Sequence, residues 1–147
     1  MILPVTLTIA AAAAVLNLWL AMRIVRGRFS SKVMTGDGGD PMMLGRMRAQ
    51  AKFVEYTPFV LILMGLIELA GGSATILWAI GAIFVLGRVA HGVGMDTGSA
   101  NIFRAAGALS TWAVLAGLSG WALLVAYTAH VDSASAGVVA VETAARP

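Results

Sequence analysis

The chain has 147 residues, 59% of them hydrophobic and only 12% charged, with a formal net charge of +3 and no cysteine. Soluble domains average roughly 45–50% apolar and about 25% charged residues, so a chain this short and apolar cannot hide its hydrophobic surface in one soluble core. The lack of cysteine excludes disulfides, thiolate metal sites and a cysteine nucleophile; any thiol chemistry needs a thiol brought by a substrate.

The first apolar segment covers 3–22 and holds no charged residue. It is long enough to cross about 30 Å of hydrocarbon. No basic stretch precedes it and a basic cluster follows it, so it reads as an uncleaved span rather than a signal peptide. Thr6, Ala10 and Ala14 place small residues one turn apart, which lets another helix approach closely. Arg23, Arg26, Arg28 and Lys32 come next, and then a Gly- and Asp-rich loop over 35–41. Asp40 is the expected N-cap of the second helix, with Pro41 in its first turn.

The second segment covers 42–70, about 29 residues or some 43 Å as a helix. Its basic first turns should project beyond the bilayer, and Pro58 should kink it by removing a backbone donor. Glu68 stands near its far end, and Gly71-Gly72-Ser73 forms a short connection. The third segment, 74–95, starts near the interfacial anchor Trp78 and later carries Arg88 and His91. The fourth, 102–129, has Arg104 near its beginning and a face of small residues at Ala106, Ser110, Ala113 and Gly117. The expectation is one all-α domain over 1–130, an integral membrane four-helix bundle, followed by a poorly ordered tail over 131–147.

Every cation except Arg146 falls at the ends shared by the 1–2 and 3–4 loops. The positive-inside rule then puts those loops in the cytoplasm and both termini outside it, in the inner or plasma membrane if the protein is bacterial. The basic residues abut membrane spans, so topology accounts for them better than nucleic acid does.

Three segments bring charge to one membrane depth. Arg48, Lys52 and Glu55 share a face of the second helix; Arg88 and His91 are three residues apart on the third; Arg104 enters from the fourth. Charge inside a bilayer costs at least about 2.5–3.5 kcal/mol per group, so these side chains should face one another or a wet cavity. One acid cannot neutralise four cations, and the surplus suits an anionic ligand, because a guanidinium fork pairs well with carboxylates. The plainer readings are interfacial lysine and arginine, and a structural ion pair between Glu55 and Arg88.

Gly36-Asp37-Gly38-Gly39, with Arg46, Arg48, Ala49, Ala51, Phe53, Glu55, Tyr56 and Pro58 in their spacing, resembles the opening of helix two in the MAPEG family, the membrane-associated proteins of eicosanoid and glutathione metabolism. Gly87-Arg88-Val89-Ala90-His91 is similar to a helix-three motif of that family. The resemblance covers roughly 130 residues. It implies a homotrimer that binds glutathione between subunits near the cytoplasmic face. Arg48, Glu55, Arg88 and His91 match glutathione-contacting positions, Arg23 a helix-one contact, and Arg104 the arginine that stabilises the thiolate. Lys52 is grouped with the glutathione contacts, although the family commonly has asparagine there. Met95 and Ala108 stand where prostaglandin synthases of the family have tyrosines.

The function expected is a membrane glutathione transferase or glutathione-dependent peroxidase. Its partners are membrane lipids, glutathione as co-substrate, a lipophilic second substrate and further copies of itself, with no metal and no nucleic acid. The alternative is a catalytically silent scaffold whose cation pocket holds a lipid headgroup or another anion. A small multidrug transporter is disfavoured, since its membrane carboxylate is expected in helix one and none is present there.

Overall fold

The computed structural model describes the backbone of residues 2–97, 99 and 101–144, and side chains through 133. Four helices account for most of it: α1 (Pro4–Ser31), α2 (Pro41–Leu69), α3 (Ala74–Gly94) and α4 (Ile102–Ala144). A single 3-10 turn, Met95–Thr97, follows α3. Among the described residues there is no strand. The protein is an all-α membrane bundle. By length and apolar content α1, α3 and α4 each qualify as spans; α2 is as long, but its charged first turns dilute its apolar content.

The helix starts follow local chemistry. Asp40 accepts from the Met42 amide at 2.9 Å, and Pro41 supplies a first-turn residue with no amide to satisfy. Asn101 caps α4, its Oδ1 accepting from the Arg104 amide at 2.9 Å. The start of α1 is capped from elsewhere in the fold. Glu68, near the end of α2, accepts from the Val5 amide at 3.0 Å and the Thr6 amide at 2.8 Å. A carboxylate there meets both the unpaired amides and the positive end of the helix dipole.

Two boundaries differ from the sequence expectation. Helix α1 continues about two turns past 22, so Arg23, Arg26 and Arg28 lie on it. Apolar content marks where a helix leaves lipid, not where it ends; α1 ends at Lys32, which adopts a left-handed conformation at φ 55°. Helix α4 passes 131 without a break. The stretch 134–147, most of the expected tail, lies outside the residues whose side chains are described. Helix α2 runs through Pro58 as continuous helix.

Around the bundle the neighbours run α1, α2, α4, α3, with the most extensive contact between α3 and α4. The core has two layers. One packs Val5, Ile9, Val60, Met64, Leu77, Phe84 and Leu118. The other, toward the charged end, packs Ala13, Leu16, Leu20, Ala49, Phe53 and Met95. Glycines set the spacing at that end. A Cβ on Gly107 would stand 2.5 Å from the Gly87 carbonyl oxygen and 2.6 Å from the His91 Cβ. Only glycine lets α3 and α4 approach this closely.

Candidate functional site

At the charged end, α2, α3 and α4 line a half-open cavity of about 720 Å³. Its wall includes Arg48, Lys52, Glu55, Arg88, His91 and Arg104. All of the predicted site residues except Arg23 are therefore in one place, brought there by three helices. Met95 and Ala108, where tyrosines were expected from the resemblance, also line it. Tyr56 supplies a phenol to the same wall.

The α2 wall is a helix face. Arg48, Lys52 and Glu55 fall on one stripe, with Tyr56 beside it. Lys52 Nζ lies 2.7 Å from Glu55 Oε2, with both side chains about half exposed at 51% and 52%. Lys52 also sits over the Tyr56 ring, 5.9 Å from its centroid. Glu55 therefore does not pair with Arg88, the structural reading weighed from the sequence.

The floor comes from α3. Arg88 is only 3% exposed. Its Nη1 donates to the Thr111 hydroxyl at 3.4 Å, its guanidinium carbon lies 5.4 Å from the Phe53 ring centroid, and its Nε has no partner among the described residues. No carboxylate pairs with it among the described residues. A buried guanidinium held by one hydroxyl and one ring keeps most of its bonding capacity unused.

His91 is also buried, and its Nδ1 lies 3.2 Å from the Arg104 carbonyl oxygen. A carbonyl only accepts, so that bond places the imidazole proton on Nδ1. Arg104 is fixed through its backbone, by His91 at the carbonyl and Asn101 at the amide, while its side chain stays exposed. Gly94 assists: a Cβ there would stand 2.5 Å from the Arg104 amide nitrogen. Thr111 and Asn101 join the site without having been expected from the sequence. Asn101 had a legible signal, an asparagine directly before an apolar helix. Thr111 had none, since nothing local links it to Arg88.

Arg23 stands apart from the cavity. It pairs with Asp96 and donates to the Gly92 carbonyl at 3.0 Å, and its guanidinium lies 4.5 Å from the Trp19 ring centroid. Arg46 joins the same carboxylate, Nε to Oδ1, at 3.0 Å. Asp96 thus ties α1 and α2 to the turn after α3. Gly45 permits this seating, because a Cβ there would collide with the Met95 carbonyl oxygen.

Beyond the cavity a second, more apolar hollow of about 440 Å³ continues between α2 and α4. It shares Glu55 and Tyr56 with the first and adds Phe59, Ile62 and Leu115. The charged cavity and the apolar groove therefore meet the same stretch of α2.

Comparison with known proteins agrees with this architecture. The sequence model of the MAPEG family matches residues 6–124. The protein called Inner membrane protein YecN of Escherichia coli strain K12 is 31% identical over 108 residues, covering 69% of this chain and 80% of that protein. The YecN protein of Escherichia coli O6:H1 strain CFT073 matches with the same identity and coverage.

Proposed function

This chain belongs to the MAPEG family, and on that premise we propose that its charged cavity binds glutathione and promotes attack of the thiolate on lipophilic electrophiles. The observation that carries the reading is the gathering of Arg48, Arg88 and Arg104 with one acid, Glu55, around a single cavity. Glutathione presents two carboxylates, one ammonium and a thiol, and arginine forks suit its carboxylates.

Arg104 is the catalytic residue in this reading. Its guanidinium makes no hydrogen bond or ion pair among the described residues, while its backbone is fixed on both sides. A cation held ready at the sulfur favours the thiolate over the thiol. With an aryl halide, the thiol proton passes to solvent, the sulfur–carbon bond forms, and the halide departs with the electron pair of the broken bond. The apolar groove past Tyr56 gives a lipophilic substrate access from the bilayer side. A hydroperoxide arriving by the same route makes the protein a glutathione peroxidase.

The reading includes a homotrimer with the charged end in the cytoplasm. Arg48, Lys52, Glu55 and Arg104 are exposed on the single chain, and a neighbouring copy would cover them. Titration of the solubilised protein with glutathione, followed by an aryl halide assay, tests binding and chemistry separately. Saturable binding with turnover supports the reading; turnover without it, or neither, contradicts it.

One observation favours a second reading. Lys52 takes up the acid that a glutathione ammonium would use. A catalytically silent scaffold holding a lipid headgroup needs no such acid. Phospholipid that co-purifies and is not displaced by glutathione favours the scaffold; prompt displacement favours the transferase.

A further inference from the structure

Among the described residues, the single carboxylate on the cavity wall is already occupied. Glu55 is the one acid among the lining residues, and its Oε2 accepts from Lys52 Nζ at 2.7 Å. Lys52 is held from a second side by the Tyr56 ring, so the pair lies along the wall itself. A ligand ammonium arriving at Glu55 meets a carboxylate that is already neutralised, with a lysine ammonium beside it. Two like charges sharing one acid repel at close range.

The remaining charge has one sign. Arg48, Arg88 and Arg104 form no ion pair among the described residues. A γ-glutamyl thiol spends one ammonium in this field. The same thiol without its amino group keeps the two carboxylates and the thiolate, one anion for each of these arginines, and brings no cation.

We infer that the cavity selects thiols that carry two or more anionic groups and no free ammonium, with Lys52 as the residue that sets this preference. The inference deepens the glutathione-type reading and rests on it. An exposed lysine–glutamate pair contributes little to stability, so Lys52 can be replaced without unfolding the bundle.

The test compares glutathione with glutaryl-cysteinylglycine, which differs only in lacking the amino group. Both are titrated by calorimetry into the solubilised full chain, as wild type, Lys52→Asn and Lys52→Arg. The wild type is expected to bind the deaminated thiol at least about fivefold more tightly. Lys52→Asn should move the ratio toward glutathione by about fivefold or more, and Lys52→Arg should keep the wild-type ratio. A wild-type preference for glutathione, or a ratio that Lys52→Asn leaves unmoved, overturns the inference while the glutathione-type reading stands. Failure of both thiols to bind at millimolar concentration overturns both.

Discussion

His91 Nδ1 and the carbonyl oxygen of Arg104 stand 3.2 Å apart, and this contact binds the end of α3 to the first turn of α4. It reaches Arg104 through the backbone and leaves the guanidinium free. His91→Phe keeps a flat ring and removes the bond. We expect conjugation to fall by roughly tenfold or more, because small misplacements of a catalytic group are costly. Steady-state assay beside a glutathione titration checks this; equal loss in both would make His91 a simple binding residue.

Arg104 itself should separate chemistry from binding. Arg104→Ala is expected to lower conjugation by about 10²-fold, in the range seen when one charge-stabilising donor is removed. Glutathione affinity should change much less, since Arg48 and Arg88 remain on the wall. A parallel loss of affinity would move Arg104 from catalysis to anchoring.

In the proposed reading, Arg88 is a cost to the fold that anion binding offsets. It is buried at 3% exposure with no carboxylate partner among the described residues. Replacing such a group by a well-packed apolar side chain is often neutral or stabilising by about 1–4 kcal/mol. Arg88→Met should therefore hold or raise the melting temperature in detergent while weakening anion binding at least about tenfold. A sharp drop in melting temperature would make Arg88 a structural residue instead.

The Asp96 clamp makes the opposite prediction. Asp96→Asn leaves Arg23, only 11% exposed at its side chain, and Arg46 without their acid. We expect a stability loss of about 1–3 kcal/mol, the usual penalty for a charged group left unsatisfied. Thermal unfolding followed by intrinsic fluorescence reads it, and an Arg46→Met background should reduce the effect.

The close approach of α3 and α4 is a further point of leverage. Gly107→Ala places a methyl 2.6 Å from the His91 Cβ, and overpacking of this kind costs about 1–3 kcal/mol. The helices must separate where the site lies. Both melting temperature and glutathione affinity should fall, whereas Gly117→Ala, which meets nothing within 4 Å, should leave affinity unchanged and hold or raise the melting temperature.

Much of this architecture is legible in the sequence because its signals are local. The four apolar segments, the Asp40–Pro41 helix start and the α2 stripe of Arg48, Lys52 and Glu55 are each written within a few turns of chain. The gathering of charge from three helices follows from cost, since no bilayer tolerates such groups facing lipid. What escaped was long-range. Glu68 caps a helix start that lies 63 residues away in the chain. Asp96 lies in the 3-10 turn after α3, and its carboxylate meets Arg23 and Arg46 from two other helices. Arg23 was placed with the glutathione contacts, and in the structure Asp96 and Gly92 hold it outside the cavity. Such pairings depend on how the helices are rotated against one another. That rotation is set by glycines such as Gly45 and Gly107, and hydropathy does not read them.

The central claim is that the cavity of Arg48, Glu55, Arg88 and Arg104 is a thiol-peptide site. Calorimetric titration of the solubilised protein with glutathione tests it most directly, with Arg88→Met alongside. Saturable binding in the millimolar range or tighter is expected, weakened at least about tenfold in Arg88→Met. No binding at millimolar glutathione, or binding that Arg88→Met leaves unchanged, would contradict it.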